Sequence, residues 1–536
     1  MLCCLAQNKT YAAVGDTIAV QAHVNIRMTA HGNYDAWAVF PSDTFHFSKI
    51  LMNYNLGCGT IGCAAYDYTT QVFARRPSGV FDSTLTQYPS FTVSGNVVDS
   101  VRFNTDTVYT YFYNATSMTT DSSVATPFQI IEFNDTLNPA VATDTLHVFP
   151  GNYYNHIYNS AGFVIDSVYV SNSNIMYLVY TNVYSTPVEI KELIEFGRVM
   201  TPYGNSLPGL WYNNYVFDVT DYKPMMHDSL QIRIFFDGWA NGYNVSVTFY
   251  MIEGTPPRDV KRVRILYPDS YYRYGFASDP IDSHLVPVTF AMDTMETSAS
   301  LRVIPSGHSF GGAGNPLDCA EFCDKSYHVF VNDTNRLAQS VFRYDCGMNP
   351  VYPQAGTWIY DRSNWCPGTK TLTKEHELTP YIHGGDSMKV DLNFDAYNYT
   401  GGAGFDPGYI LSANLITYGT PNFLNDVTVD EIISPNSDMN YARFNPICNR
   451  PEIVIRNLGS TTLTSCTINY GIKGGIQQTF SWTGNLNFLS SETVQLGNLA
   501  WGSAAGTPDK FEVSVSNPNG TPDQNPFQPF FHREAA

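Results

Sequence analysis

The sequence predicts an all-β protein, and three observations carry that prediction. Aromatic residues make up 14% of the chain, alongside many Val, Ile and Thr, a mixture that suits pleated, half-buried surfaces. Apolar residues recur with period two. Leu230, Ile232, Ile234 and Phe236 share one face while Gln231, Arg233, Phe235 and Asp237 share the other, and Val245, Val247, Phe249 and Met251 alternate likewise with Asn244, Ser246, Thr248 and Tyr250. No long stretch repeats apolar residues at helical spacing.

Taken in order, the chain divides by composition. At 536 residues it is too long for one core, and three or four domains are expected. Residues 8–76 alternate in the strand manner and carry a short loop between Cys58 and Cys63. Residues 77–187 are dense in Thr, Ser, Asn, Tyr and Val with Pro and Gly punctuation, which reads as further β structure. Strand character continues from Val188 to Gly254-Thr-Pro-Pro-Arg258, a breaker cluster expected to link two domains. Val263, Ile265 and Tyr267 open a second β domain spanning 259–419. Residues 420–536 read as separate: Pro451–Gly459 and Leu463–Tyr470 resemble bacterial immunoglobulin-like adhesion modules, and Phe511, Val513 and Val515 supply a later strand. The tail after Pro518 is rich in Pro and Asn and is expected to fray.

Charge and cysteines narrow the function classes. The formal net charge of −19 argues against a nucleic-acid partner, which would call for clustered Lys and Arg. No run of about 20 apolar residues exists, so no membrane span is expected. Eight of ten cysteines fall into near pairs, Cys58/Cys63, Cys319/Cys323, Cys346/Cys366 and Cys448/Cys466, which read as disulfides of an oxidising compartment. A zinc site from the first two pairs is discounted, because no Cys-x-x-Cys knuckle is present and the pairs lie far apart. Met1-Leu-Cys-Cys-Leu-Ala-Gln7 looks like the tail of a secretory leader, which predicts a secreted or periplasmic protein.

Chemistry concentrates between Asp318 and Gly368. Glu321 sits midway between Cys319 and Cys323, and Arg362 and Trp365 lie in the loop that Cys346 and Cys366 would close. Cys319-Ala-Glu-Phe-Cys323, Tyr327-His-Val-Phe-Val-Asn332 and Asp361-Arg-Ser-Asn-Trp-Cys-Pro-Gly368 together resemble the peptide-N-glycosidase F family, secreted bacterial amidases that remove N-linked glycans from asparagine. Phe196-Gly-Arg-Val-Met-Thr-Pro-Tyr203, Phe217-Asp-Val-Thr-Asp-Tyr222 and Cys58-Gly-Thr-Ile-Gly-Cys63 followed by Tyr66-Asp67 are similar to the family's first domain.

The resemblance implies two jelly-roll-like antiparallel sandwiches side by side. The first would be discontinuous, 8–76 with 188–254, and 77–187 would be an inserted β domain. Asp67, Glu321 and Asp237 match the positions of the family's carboxylates, and Trp239, Arg362, Tyr203 and His308 those near the substrate. Amide hydrolysis needs an activated water and a proton for the leaving nitrogen, and paired carboxylates can divide those tasks because their repulsion separates their pKa values. Arg362 would bind sugar hydroxyls or steady a carboxylate, Trp239 would stack on a sugar, and Tyr203 would offer a ring and a hydroxyl. No cofactor or metal is implied, and the partners would be N-glycoproteins and glycopeptides acted on by a monomer. Three positions depart from the family pattern: Asp237 stands for the usual Glu, Tyr68 for the usual Arg, and no aromatic residue precedes Gly307-His308. They lie near the expected sugar contacts and bear on glycan preference more than on reaction type.

Three other readings compete. A non-catalytic glycan-binding or adhesion protein on the same fold is the alternative that the C-terminal module favours. A copper monooxygenase would need His-x-His, which twelve histidines fail to supply. A Ser-His-Asp hydrolase is set aside, no Gly-x-Ser-x-Gly elbow being read.

Overall fold

The computed structural model describes residues 13–82, 188–312, 318–402, 404–436, 438, 441, 450–499 and 510–525, and elsewhere little beyond strand segments between 83 and 187 and at 533–534. The expected leader remnant, with Cys3 and Cys4, and Cys448 lie outside the described residues. The chain falls into two compact units, one running to Arg76 and resuming at Glu192, the other spanning Pro77–Lys191. The smaller unit is built from antiparallel strands, among them Val101–Thr105, Phe128–Glu132 and Asp144–Val148 in one sheet and the hairpin Val108–Asn114 with Thr119–Ala125.

The larger unit stacks β-sheets in pairs. One sheet orders Thr17–Met28, Tyr243–Glu253, Phe47–Gly57 and Tyr212–Asp218, and its mate orders Val188–Met200, Thr69–Asp82, Asp228–Phe236 and Gly32–Phe40. The aliphatic stripes expected from the sequence fill the space between them: Leu230, Ile232, Ile234 and Phe236 are at most 4% exposed, and Val245, Val247, Phe249 and Met251 at most 1%. The second sandwich sets Arg258–Arg273, Gly408–Pro421, Ser298–His308 and Lys374–Glu377 against Val288–Ala291, Ser387–Phe394, Ser326–Val331 and Thr334–Ser340. Sheet neighbours are seldom consecutive in sequence, as in jelly rolls. In the C-terminal sandwich a sheet of Val427–Ser434, Glu452–Asn457 and Ser491–Gln495 faces one built on Leu463–Ile472, Gln477–Leu486 and Lys510–Ser516.

Two expectations need correction here. Among the described residues Cys466 is a free thiol, not half of a bridge. It points inward from its strand into the C-terminal core, where a cysteine packs as a small hydrophobe. The tail does not fray at once after Pro518: Gln524 Oε1 accepts hydrogen bonds from the backbone of Leu424 and Asn425, at 2.6 and 2.9 Å.

The two large sandwiches are joined through backbone. Met200 N–H donates to Thr369 O at 3.0 Å, Gly368 N–H to Met200 O at 2.9 Å and Thr371 N–H to Arg198 O at 2.8 Å. Beneath this short ladder lies a buried polar cluster. Arg198, fully buried, grips Glu195 with Nε and Nη2 at 2.9 and 2.7 Å, and also reaches Asp269 at 3.1 Å and Ser306 Oγ at 2.7 Å. Gln71 donates to both Glu195 and Asp269, at 3.0 and 2.7 Å, and Ser412 Oγ donates to Glu195 at 2.5 Å. Burial, with the Glu195 charge adding to it, pushes the Asp269 carboxyl up to about 7.

Candidate active site

Asp67 is held by the chain on both sides of it. The Cys58–Cys63 bridge, with Cα atoms 4.6 Å apart, tightens the preceding loop. Buried Thr201 then straps the segment: its hydroxyl accepts from Tyr68 N–H at 2.8 Å and donates to Tyr66 O at 3.1 Å, while its own N–H donates to Tyr68 O at 2.9 Å. Gly204 N–H reaches Ala64 O at 3.0 Å, an approach that only glycine permits, since a Cβ there would lie 2.3 Å from that oxygen.

Glu321 is fixed in the same manner from the second sandwich. Cys319 and Cys323 bridge around it with Cα atoms 4.9 Å apart. Ala320 and Glu321 N–H both donate to Ser309 O, at 3.0 and 3.2 Å, and Ser309 N–H donates back to Glu321 Oε2 at 3.1 Å. Ser363 N–H donates to Glu321 O at 2.9 Å and its hydroxyl to Ala320 O at 2.6 Å. Ser309 also answers the set-aside hydrolase. Gly307-His308-Ser309-Phe310-Gly311 does carry the Gly-x-Ser-x-Gly spacing that the sequence reading missed. A nucleophile elbow joins a strand to a helix. Ser309 instead leaves the strand Ser298–His308 and spends its backbone on the Glu321 loop.

Arg362 completes the centre. Its side chain is 1% exposed and its Nε lies 3.1 Å from Glu321 Oε1. Nη1 donates to Thr357 O and Tyr360 O at 3.0 and 2.7 Å, Nη2 donates to Thr357 Oγ1 at 2.8 Å, and Phe322 and Trp365 flank the guanidinium at 5.0 and 4.8 Å. Of the two roles expected for Arg362, the contact to a carboxylate is the one displayed, and its burial leaves little to offer a sugar. The Cys346–Cys366 bridge, with Cα atoms 5.4 Å apart, closes the loop that carries Thr357 and Arg362. The Thr357 hydroxyl also meets Tyr203 OH at 3.4 Å, and Tyr203 lies near enough to Asp67 to help hold its carboxyl down. One threonine thus ties the neighbourhoods of the two carboxylates together.

Electrostatics pairs Asp67 with Glu321. Burial raises the Asp67 carboxyl, against the lowering pull of Arg362 and Tyr203. Burial is also the largest cause that pushes Glu321 up to about 7; Arg362 opposes it and the Asp67 charge adds to it. Asp237 stands further out. Its side chain is 52% exposed and lies 3.5 Å from His31, and burial raises its carboxyl while His31 lowers it. Tyr68 feels the charges of both Asp67 and Asp237, and its ring is wedged between Phe236 and Trp239, at centroid distances of 5.6 and 5.3 Å. Trp239 and Tyr66, 59% and 61% exposed, present open ring surface beside it.

His308 is built into the frame. Its Nε2 lies 2.7 Å from Ser306 Oγ, the acceptor of Arg198, and its ring stacks on Trp365 at 5.4 Å. Burial, with Arg198 adding to it, pushes its pKa down to about 3, so the imidazole is neutral. Sequence reasoning missed Thr201, Thr357 and the Glu195–Arg198–Asp269 cluster. Threonines and isolated charges carry no motif, and Phe196–Tyr203 was the only signal that touched two of them.

Known proteins resemble this chain over part of its length. Residues 278–409 match the family described as Peptide-N-glycosidase F, C terminal. Peptide-N(4)-(N-acetyl-beta-D-glucosaminyl)asparagine amidase F of Elizabethkingia miricola is 28% identical over 250 residues, which cover 44% of this chain and 68% of the relative. Among solved structures, PNGase F, a glycosylasparaginase from Flavobacterium meningosepticum, aligns with a TM-score of 0.47 at 18% identity, covering 75% of this chain and 96% of that one. PNGF-II aligns with a TM-score of 0.45 at 15% identity, covering 75% and 65%. Over residues 278–409 the chain is similar to the C-terminal domain of the peptide-N-glycosidase F family, and over 250 residues to one of its amidases.

Proposed function

We propose that the protein hydrolyses the side-chain amide of glycosylated asparagine in N-glycoproteins and glycopeptides, releasing the glycan as a glycosylamine and leaving aspartate. The observation that supports this reading is the pairing of Asp67 with Glu321 beside Arg362, one carboxylate from each sandwich. In this scheme Asp67 takes a proton from water as the water oxygen bonds to the amide carbon. The carbon–nitrogen bond then breaks, and Asp67 returns the proton to the departing nitrogen. Glu321, ionised and steadied by Arg362, keeps Asp67 basic through its negative charge. Tyr203 orients Asp67 from the other side. Trp239 and Tyr66 offer faces for sugar rings, and Asp237 lies at the outer edge of the same region as a hydrogen-bonding carboxylate. The three disulfides fit a secreted or periplasmic compartment.

The test is incubation with a denatured N-glycoprotein. Released glycan together with conversion of the sequon Asn to Asp, read by mass spectrometry, is the expected result. Tight glycopeptide binding without release would overturn the amidase reading and favour a non-catalytic glycan binder.

A further inference from the structure

Away from the paired carboxylates, a cavity of about 650 Å³ opens where the two large sandwiches meet the C-terminal one. Its size falls within the range of about 300–1,000 Å³ common for small-ligand pockets. The first sandwich contributes Lys49 and Asp218, the second Arg258 and Arg302, and the C-terminal one Asp430 and Phe488. No candidate catalytic or sugar-contacting residue lines it.

The lining is rich in charge, yet the charges are matched. Lys49 lies 3.1 Å from Asp430, and Lys223 lies 2.7 Å from Asp43. Arg258 clasps Glu377 with two contacts of 3.0 and 2.9 Å. An anion entering here would have to displace a carboxylate, and a cation would have to displace a guanidinium or an ammonium. An apolar molecule would strip water from all of them with no return. The groups that remain useful are fixed donors and acceptors, together with two rings. Arg258 lies over Tyr418 at 3.6 Å and Phe488 at 5.6 Å.

Arg302 adds an independent pointer. Its side chain is 6% exposed and lines the cavity. Its Nη2 donates to Asp218 O at 3.1 Å, but its Nε is buried with no hydrogen-bond partner among the described residues, the Glu375 carboxylate at 3.5 Å making an ion pair only. A buried donor left unmet is costly, and this one sits in the wall just behind the cavity surface.

We propose that this cavity binds a neutral oligosaccharide, separately from the paired-carboxylate site. Hydroxyl groups donate and accept at once, so they can serve both signs of a charge-matched lining without breaking its pairs. The flat faces of sugar rings suit the aromatic surface of Phe488. The proposal stands apart from the amidase reading, because it concerns binding alone.

Calorimetry on the full chain tests it, with triacetylchitotriose and mannotriose as neutral probes and trigalacturonate as the charged one. At least one neutral probe is expected to bind, and trigalacturonate is not. Ser490→Trp, which fills the space from the C-terminal side, and Arg302→Met, which removes the unmet donor, should each weaken binding at least tenfold. Thermal unfolding identifies either variant if it fails to fold. In Trp239→Ala any binding at the carboxylate site is lost, while the component removed by Ser490→Trp should persist. Failure of both neutral probes to bind, binding unchanged in Ser490→Trp, or all binding lost in Trp239→Ala would overturn the proposal, the last by moving the sugar to the carboxylate site.

Discussion

Replacing Asp67 by Asn preserves size and removes the basic lone pair. Glycan release should fall about a hundredfold or more, the usual scale for a general acid–base group, with little change in the unfolding midpoint. Parallel release assays and denaturant titrations check both halves of that statement. Glu321 gives the pH dependence. Its folded value of about 7 lies above the ordinary 4.5, so between those values the folded protein holds a proton that the unfolded chain has lost. Glu321 therefore lowers stability as pH rises through that window. Activity should move the other way, since the ionised form of Glu321 keeps Asp67 basic. Release is expected to rise through about pH 7, and Glu321→Gln should flatten that limb of the rate profile while lowering its height. A rising limb retained in the variant would assign the titration to another group.

At the scale of elements, loops held by covalent staples carry the candidate chemistry and strands only aim them. The Cys346–Cys366 loop carries both Thr357 and Arg362. Replacing both cysteines by Ser should cost about 3 kcal/mol in the chain-entropy description, and should lower glycan release more than the stability loss explains, because Arg362 then loses its rigid support. Guanidinium unfolding and assays well below the unfolding midpoint separate the two effects. This scale also marks what the sequence could disclose. Leu230 to Phe236 betray their strand because one buried face imposes period two. Asp67 and Glu321 stand out through the resemblance of the motifs that carry them, Glu321 between Cys319 and Cys323 and Asp67 just after Cys58–Cys63. Thr201 gives no such sign: its three hydrogen bonds depend on a chain reversal more than a hundred residues from Tyr68. Cys466 misled because nearness in sequence to Cys448 says nothing of which way a strand residue faces, and this one faces the core.

For the whole molecule, the Glu195–Arg198–Asp269 cluster is the costliest feature to disturb. Two carboxylates share one guanidinium in a largely buried interface, and burying such groups is tolerated only while their partners remain. Arg198→Met should destabilise the protein by about 3–5 kcal/mol, the scale for removing one member of a buried ion pair. Thermal unfolding across pH would show the loss easing on acidification, as the orphaned carboxylates take up protons. Arg198 lay inside the Phe196–Tyr203 motif, but its tie to Asp269 was not legible, because their strands meet only after two sandwiches have docked.

The backbone ladder between 198–200 and 368–371 has a consequence for ancestry and engineering. Recombination that exchanged either sandwich alone would tear open main-chain hydrogen bonds that no side-chain substitution can restore. The N-terminal and central sandwiches must therefore be inherited, transplanted and shuffled as one cassette.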